Sequence, residues 1–380
     1  MSAATAADEA TKRGTMALRL PDFPWDTIAA EADRARSHPD GFLDLSVGSP
    51  VDPAPRIVLD ALEAAGDAHA YPTTVGTPDL REAMVDWWQR RRGAVGLTVE
   101  NVLPSIGSKE FIALLPLALG LGPGDVVVHP ELAYPTYEVG AAAVGATALP
   151  ADDPEAWPAA TRLVWLNSPG NPDGRVLSKD RLRAAVARAR SLGAVIVSDE
   201  CYAELNWADD DPTPSILDAD VVGEDRHDVL AIYSLSKQSN LAGYRAGLVA
   251  GCRTRIREVL EVRKHLGLMT PGPVQGAMAV ALRDESHVAA QREIYRERRR
   301  ILASALERAG FVIDESTAGL YLWATRGEPA RETLAFLADL GILVAPGEFY
   351  GARGARHVRI ALTASDTAIR EAAARLELLA

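Results

Sequence analysis

Cysteine and long apolar runs are both scarce in this sequence. Of its 380 residues only Cys201 and Cys252 are cysteines. They have neither a paired spacing nor an accompanying histidine cluster, which argues against a disulfide framework and against a metal site. The longest apolar runs, such as 111–121, are interrupted by Pro or Gly and are shorter than the roughly 20 residues that a membrane-spanning helix needs. We therefore expect a chain of the reducing cytoplasm with no metal and no membrane partner.

Positive charge is also in deficit. Forty basic against 52 acidic side chains give a formal net charge of -12, which disfavours binding to nucleic acid or to an anionic membrane surface. A local basic pocket is still compatible with this balance. The first residues, Met1 to Leu18, mix Ala, Thr, Asp, Glu and Lys without an apolar core, so they do not read as a secretory signal. We predict that they form a loose tail.

Between residues 102 and 251 short apolar runs rich in Val, Ile and Leu alternate with amphipathic patterns. This order is typical of an α/β domain with a mostly parallel central sheet between crossover helices. One predicted helix, Ser178 to Ser191, ends before Gly193, a favourable residue for a helix stop. The predicted strands are Val102 to Ile106, Val126 to His129, Arg162 to Leu166, Ala194 to Ser198, Val229 to Tyr233 and Gly247 to Ala250.

After about Pro271 the pattern changes to that of a smaller α+β domain. Its predicted helices are Glu285 to Ala309, Arg331 to Leu340 and Asp366 to Leu379, and its predicted strands are Phe311 to Ile313, Gly319 to Trp323, Ile342 to Ala345 and Val358 to Leu362. We therefore divide the chain into the tail (1–18), an N-terminal arm that joins the small domain (19–44), a large domain (45–275) and a small C-terminal domain (276–380).

The most informative motif is Ser234-Leu235-Ser236-Lys237, which follows a buried strand and precedes Arg245 by eight residues. A partly desolvated lysine at a strand end loses its proton readily and becomes a nucleophile that forms an imine with an aldehyde. Ser234 and Arg245 have the donors that hold a phosphate group. Taken alone, however, a lysine in a loop is usually an ordinary surface residue.

Three further segments accompany this lysine. Gly107-Ser108-Lys109-Glu110 lies between a predicted strand and a helical pattern, where free backbone N–H groups face an anion. Asp199 and Tyr202 follow another buried strand, at the sheet edge where ligands of α/β folds bind. Asn171 opens a turn after a third strand. Each segment has an ordinary reading by itself: a helix start, an N-cap and a β-turn.

In this order and at these intervals, the motifs resemble those of the fold-type I, class I and II aminotransferases, from about residue 41 to the C-terminus. The resemblance implies that Lys237 binds pyridoxal 5'-phosphate as an imine and shuttles a proton, and that Asp199 pairs with the pyridinium nitrogen. It also implies hydrogen bonds from Tyr202 and Asn171 to the phenolic oxygen and stacking of Tyr134 on the ring. The implied phosphate ligands are Ser108, the backbone of Lys109, Ser234 and Arg245.

The resemblance extends to substrate binding and assembly. Arg359 matches the arginine that clamps the substrate α-carboxylate in a bidentate pair. Gly48 matches a glycine whose backbone approaches the same carboxylate. Tyr71 matches a tyrosine that reaches the phosphate bound in the neighbouring subunit, which implies a homodimer with shared active sites. The implied substrates are small amino acids and 2-oxo acids.

Several stretches are similar to the actinobacterial N-succinyldiaminopimelate aminotransferases of lysine biosynthesis. That resemblance implies amino transfer from glutamate to N-succinyl-2-amino-6-ketopimelate. Such a substrate has a distal carboxylate that needs a second cation, for which Lys109 and Lys264 are the candidates. The stretches are Phe23 to Asp26, Leu45 to Pro53, Gly107 to Glu110, Pro130 to Tyr137 and Arg263 to His265.

Other functions remain open on the same motifs. An aspartate-type or aromatic aminotransferase, a β-lyase or an aminocyclopropane-type synthase would use the same cofactor anchors. A cofactor-binding regulator would need a DNA-binding element, and no basic helix-turn-helix precedes residue 41. A dinucleotide dehydrogenase is disfavoured, because the glycine-rich stretch 120–125 has Asp125 in place of the last glycine and leads into a strand.

Overall fold

The fold was analysed in a computed structural model, which describes residues 20–21, 24–208 and 212–378. The predicted tail therefore lies outside the described residues. The α-helices of the described residues are α1 Ala29–Arg36, α2 Arg56–Ala64, α3 Pro78–Arg92, α4 Gly107–Ala118, α5 Thr136–Ala143, α6 Lys179–Leu192, α7 Ala219–Val222, α8 Leu235–Gln238, α9 Arg253–Leu266, α10 Gly272–Arg283, α11 Ser286–Arg308, α12 Ala330–Asp339 and α13 Asp366–Glu377.

The strands of the described residues occur from residue 43 to residue 361. They are β1 Leu43–Asp44, β2 Val102–Ile106, β3 Val126–His129, β4 Thr147–Pro150, β5 Thr161–Asn167, β6 Val195–Asp199, β7 Val229–Ser234, β8 Ala246–Gly251, β9 Val312–Asp314, β10 Tyr321–Thr325, β11 Ile342–Leu343, β12 Ala345–Pro346 and β13 Val358–Ala361.

The predicted central sheet is confirmed. It has seven strands in the order β2-β8-β7-β6-β5-β3-β4. β8 pairs antiparallel with both of its neighbours, while β7, β6, β5, β3 and β4 are parallel to one another. The carboxyl ends of β2 to β7 and the amino end of β8 therefore meet at one edge of the sheet, where ligands of α/β folds bind.

Helices cover both faces of this sheet, as the apolar strand sequences predict. Because side chains alternate along a strand, Val164 and Leu166 of β5 pack into one apolar cluster with residues of α3, α6 and α10. Leu163 and Trp165 point the other way, into a second cluster with residues of α4, α5 and α9. The central strands β6, β7 and β8 are thus buried along their whole length, which fixes their end residues relative to one another.

A smaller antiparallel sheet, in the order β12-β13-β10-β9, forms the second part of the structure. Its apolar cluster includes Leu302 of α11 and Ile369 of α13. The short strand β1 pairs in parallel with β11, and α1 packs against α12. The segment before residue 45 thereby contacts the C-terminal part of the chain. We propose 45–275 and 276–380 as the limits of the two domains.

Some element boundaries differ from those predicted. Helix α4 begins at Gly107, so Ser108 and Lys109 lie in its first turn rather than in a preceding loop. The predicted strand 342–345 is divided into β11 and β12, because its two halves join different sheets. The predicted helix from Ser178 is confirmed, with Ser178 as its N-cap and Gly193 in the left-handed conformation as its C-cap.

A buried ion pair stabilises the backbone beside the ligand edge. The Arg92 guanidinium donates to Glu200 Oε2 at 2.9 and 3.1 Å, and both side chains are buried. Glu200 Oε1 accepts from Ser215 Oγ at 3.0 Å and from the backbone N–H of Ile216 at 2.8 Å. Since Glu200 directly follows the last residue of β6, this network holds the end of that strand in place.

We predict that Arg92→Met lowers the free energy of unfolding by about 3–5 kcal/mol, because it leaves the Glu200 carboxylate buried without its cation. Urea unfolding followed by circular dichroism measures the loss. Arg300→Met is the matched control, since Arg300 pairs with Glu297 on the exposed surface of α11 and its loss is expected to leave stability unchanged. An equally small effect at Arg92 would contradict a structural role for the buried pair.

Candidate active site

A cavity of about 540 Å³ opens at the ligand edge of the large sheet. Segments from both parts of the chain line it. Eleven of the thirteen site residues predicted from the sequence lie in its wall, and they are Gly48, Ser108, Lys109, Tyr134, Asn171, Asp199, Tyr202, Ser234, Lys237, Arg245 and Arg359.

Lys237 lies in the short helix α8, which begins directly after β7. The Ser234 hydroxyl caps this helix by accepting from the backbone N–H of Ser236 at 3.2 Å. The Lys237 ammonium donates to the backbone carbonyl of Gly48. Burial lowers the pKa of Lys237, because desolvation disfavours the charged form. The neutral amine, which is the nucleophilic form, is therefore more accessible here than on the protein surface.

Asp199 is the last residue of β6 and is almost completely buried. The Tyr137 hydroxyl donates to its Oδ2 at 2.9 Å, and the backbone N–H of Cys201 donates to its Oδ1 at 3.1 Å. Burial raises the pKa of Asp199, while the hydrogen bonds from Cys201 and Tyr137 act in the opposite direction. The two donors thus help to keep a carboxylate at the base of the cavity.

Ser108 and Arg245 form a corner of the cavity that is rich in donors. Ser108 lies in the first turn of α4, whose leading N–H groups have no partner within the helix. Arg245 has a left-handed backbone with a φ of 56°, and a Cβ built on Gly107 would overlap its guanidinium. Only glycine therefore permits this arginine to lie against the start of the helix. The corner has the donor set that a phosphate group requires.

Arg359 projects from β13 and is only 3% exposed. Its guanidinium donates to Asn171 Oδ1 at 2.9 Å and to the backbone carbonyl of Ser46 at 2.7 Å. Its Nε atom is buried and has no hydrogen-bond partner among the described residues. A planar, buried guanidinium with unused donor capacity is suited to a carboxylate ligand.

The cations of this cavity have other partners than the buried arginines found elsewhere in the described residues. Lys237, Arg245 and Arg359 donate to backbone carbonyls or to an amide oxygen. Lys109 has no ion-pair partner within the described ranges. Elsewhere, by contrast, buried arginines pair with carboxylates, as Arg92 does. Among the residues that the structure describes, four cations and one carboxylate, Asp199, line the cavity, so its charge is available for an anionic ligand.

Tyr71 and Lys264 are the two predicted residues that the structure places elsewhere. Tyr71 is 93% exposed and does not line the cavity of its own subunit. Its predicted role in a neighbouring subunit requires such an exposed position. Lys264 lies on α9 and its Nζ is 2.7 Å from Glu261 Oε1. The expectation that Lys264 binds a distal carboxylate in this cavity is therefore wrong for its own subunit. Of the two candidates only Lys109 lines the cavity.

Several cavity residues were missed in the sequence. Ser236 lies in the wall, and Tyr137 lies outside it but donates to Asp199. Both stand within motifs already singled out, so their spacing was a usable signal. Tyr321 is different, since only pairing between distant strands brings it to the cavity. The other wall residues are Trp25, Val47, Ser49, Asn167, Cys201 and Ala242.

A second hydrogen-bonded chain has the composition of a serine hydrolase triad. Ser239 Oγ lies 2.8 Å from His287 Nε2, and His287 Nδ1 lies 2.6 Å from Asp284 Oδ2. Ser239, however, is 0% exposed, so no acyl group reaches its hydroxyl. The chain links the segment after Lys237 to the start of α11 and is structural.

The sequence profile described as "Aminotransferase class I and II" matches residues 40–376. The chain is a class I and II aminotransferase. Two proteins are more than 50% identical to this chain and align with nearly all of it. One is the 4-dedimethylamino-4-oxo-anhydrotetracycline transaminase OxyQ of Streptomyces rimosus, 53% identical over 94% of this chain and 99% of that protein. The other is the probable aminotransferase Rv1178 of Mycobacterium tuberculosis, 54% identical over 97% and 88%.

Solved structures of aminotransferases also match this fold. The N-succinyldiaminopimelate aminotransferase of Mycobacterium tuberculosis superposes with a TM-score of 0.83 at 28% identity, covering 94% of this chain and 97% of that one. A probable N-succinyldiaminopimelate aminotransferase of Thermus thermophilus gives 0.84 at 29% identity, covering 94% and 100%. The predicted fold and family are thereby confirmed.

Class I and II aminotransferases use pyridoxal 5'-phosphate, so the predicted cofactor is confirmed at the level of the family. The donor set of this aminotransferase fits that group. A half-buried lysine, a carboxylate and a donor-rich corner beside a helix start all face the same cavity. No group of three or more potential metal ligands is found within the described ranges, and none of the helices described there is long and apolar enough to cross a membrane.

We predict that Tyr137→Phe moves the acid limb of the pH–activity profile to higher pH. The variant keeps the ring that stacks on Trp165 but removes a donor that lowers the pKa of Asp199. More of this carboxyl is then protonated at a given pH, and kcat is expected to fall by about tenfold below neutrality. Tyr233→Phe, which removes a buried hydroxyl bonded to Gln238, is the control. Coincident profiles for wild type and Tyr137→Phe would refute the prediction.

Proposed function

We propose that this aminotransferase moves the amino group of L-glutamate to N-succinyl-2-amino-6-ketopimelate, a step of lysine biosynthesis. The observation that carries the proposal is the presence of two separate cations in one cavity, Arg359 and Lys109, besides those suited to the cofactor. Arg359 suits the α-carboxylate that both substrates share. Lys109 suits the distal carboxylate of glutamate or of the succinyl group.

In the proposed chemistry the bound cofactor supplies an aldehyde for imine formation and a ring that withdraws electrons. Lys237 would hold it, and the Lys237 amine, once released, would act as the base that moves the proton of the substrate α-carbon. Asp199 would keep a proton on the ring nitrogen. Tyr202 and Asn171 would orient the phenolic oxygen, and Tyr134 would pack on the ring. The phosphate would be bound by Ser108, Ser234, Arg245 and the Lys109 backbone.

Because the cofactor would carry the amino group between the two half-reactions, the amino donor would leave as a 2-oxo acid before the acceptor binds. Ping-pong kinetics are expected. A β-lyase would instead release ammonia from a single substrate. The two buried free thiols, Cys201 and Cys252, are in keeping with the cytoplasmic location that we propose.

The known proteins that resemble this chain point to more than one substrate. Two solved structures with matching folds are named for N-succinyldiaminopimelate, at 28% and 29% identity. An LL-diaminopimelate aminotransferase of Aquifex aeolicus, whose name carries no succinyl group, is 34% identical over 88% of this chain and 90% of that protein. The 53% identity to OxyQ favours a second candidate function, amination of a 4-oxo-anhydrotetracycline ketone. The identity of the acceptor decides between the two.

The acceptor is tested with Lys109→Ala. We predict that kcat/KM for the succinylated substrate falls by about tenfold to a hundredfold, because a charge-assisted hydrogen bond to its distal carboxylate is lost. kcat/KM for a monocarboxylic amino acid such as alanine is expected to stay within about twofold of the wild type, since the Lys109 backbone remains. Steady-state kinetics with both substrates measure the ratio.

Lys264→Ala is the matched control, as it removes a lysine that lies outside the cavity. It should leave both kcat/KM values unchanged. Equal losses with both substrates in Lys109→Ala would contradict the distal clamp. If the wild-type protein aminates the oxo-anhydrotetracycline and not the succinylated ketone, the first proposed function is wrong and the second takes its place.

We also propose that the active unit is a homodimer in which Tyr71 reaches the phosphate of the partner subunit. The ring of Tyr71 is almost fully exposed in a single subunit, which is unusual for a large aromatic side chain. An isologous dimer would bring two copies of this tyrosine to two equivalent sites.

A hybrid-dimer experiment tests the shared site. Tyr71→Ala and Lys237→Ala are each expected to have little activity, and Lys237→Ala should also lack the visible absorbance of a lysine-bound cofactor. When the two variants are unfolded, mixed and refolded together, about a quarter of wild-type activity should return. Half of randomly associated dimers are mixed, and each mixed dimer has one intact site. No recovery, with mixed dimers present, would show that Tyr71 serves its own subunit or no site.

A further inference from the structure

Tyr321 is placed in the cavity by strand pairing. It begins β10 opposite Ala361 of β13, and Trp323 two residues later pairs with Arg359. Since residues two apart on a strand share a face and so do paired residues, Tyr321 and Arg359 lie side by side on the cavity face of the small sheet. Tyr321 is 3% exposed, so its position is well defined by packing.

The ring of Tyr321 covers the Arg359 guanidinium. The Arg359 Cζ atom lies 3.9 Å from the ring centroid of Tyr321 and 4.9 Å from that of Tyr350. A cation beside an aromatic face is held most strongly where water is excluded. Because Arg359 has no carboxylate partner among the described residues, these rings and two neutral oxygen acceptors fix the plane of its guanidinium. A bidentate contact to a carboxylate depends on that plane.

The hydroxyl of Tyr321 reaches a different part of the site. It shares a hydrogen bond with the Tyr202 hydroxyl at 3.0 Å. It also lies against Gly48, where a built Cβ would overlap the Tyr321 oxygen. Glycine at position 48 therefore leaves room for this hydroxyl. One side chain thus touches the residue suited to the substrate carboxylate and the residue suited to the cofactor.

The electrostatic surroundings agree with this position. Burial raises the pKa of the Tyr321 hydroxyl, but the charges of Arg359 and Lys237 and the hydrogen bond with Tyr202 outweigh burial, so the net shift is downward. Burial and the neighbouring Tyr321 raise the pKa of Tyr202. The Tyr321 oxygen therefore interacts electrostatically with Arg359 and Lys237 and through a hydrogen bond with Tyr202.

We propose that Tyr321 is a positioning residue with two separable roles: its ring orients Arg359 for the substrate α-carboxylate, and its hydroxyl orients Tyr202 toward the phenolic oxygen of the cofactor. The first role rests on the proposed function of Arg359. The second needs only the cofactor. Neither depends on which keto acid is the natural acceptor.

Two variants separate the roles in the cofactor-loaded protein. Tyr321→Phe keeps the ring, so the Kd for glutarate, an unreactive analogue of glutamate without the amino group, is expected to stay within about twofold of wild type by calorimetry. The loss of the hydroxyl should move the pH midpoint of the visible absorbance band upward by about half a unit to one unit, because Tyr202 becomes a weaker donor to the phenolic oxygen.

Tyr321→Met removes the ring and keeps an apolar side chain of adaptable shape. We expect the same shift of the absorbance midpoint together with an increase of about tenfold in the Kd for glutarate, since the cation–π contact is lost. Tyr295→Phe and Tyr295→Met are matched controls. Tyr295 is also buried in the small domain and lies 5.6 Å from a guanidinium, that of Arg298, but it does not line the cavity. Both controls should leave Kd and midpoint unchanged.

An unchanged absorbance midpoint in Tyr321→Phe would overturn the role of the hydroxyl, and this variant keeps the shape of the native side chain. Equal weakening of glutarate binding by Tyr321→Met and Tyr295→Met would overturn the role of the ring and indicate a general loss of packing. If Tyr321→Met does not fold, Tyr321→Leu replaces it with the same expected Kd. Wild-type protein that does not bind glutarate would refute the carboxylate site at Arg359, a failure of the proposed function and not of the hydroxyl role.

Discussion

The site depends on holding several cations together without neutralising them. The chain carries a net charge of -12, yet in its described part four cations and a single carboxylate line the active-site cavity. Arg359, Arg245 and Lys237 are oriented by carbonyl and amide oxygens, which direct the donors without cancelling the charge. A phosphate and a substrate carboxylate can then satisfy charges that the protein itself leaves unpaired.

This arrangement requires a rigid frame, because like charges in a confined space repel one another. The frame is the sheet edge where six strand ends and the start of the antiparallel β8 converge. Each anchor follows its strand closely, so the enclosed sheet fixes the distances between them. Beside β6, by contrast, the charge of Arg92 is neutralised by the Glu200 carboxylate. This ion pair stabilises the sheet edge at which the cations without carboxylate partners lie.

Much of this fold was predictable from periodicity. Buried strands such as Val102 to Ile106 and Val126 to His129 were placed with correct bounds, since continuous apolar runs between turns have few other readings. Shorter or less apolar elements escaped, including Leu43–Asp44 and Thr147–Pro150. Such segments form strands only because a neighbour supplies their hydrogen bonds. For the same reason the run 342–345 was divided between two sheets, which no local pattern could indicate.

By itself the sequence determined the chemistry at the large sheet. The end of a recognisable strand lies at or at most three residues before each of Lys237, Asp199 and Ser108. Local spacing was therefore sufficient to predict that these residues lie near one another. Tertiary structure alone decided that Tyr321 joins them from a second sheet and that Lys264 lies outside the cavity. Arg359, on the same small sheet, was indicated only by the family resemblance and not by its local pattern. Such contacts depend on strand pairing and domain packing between distant segments, and those interactions leave no periodic trace in the sequence.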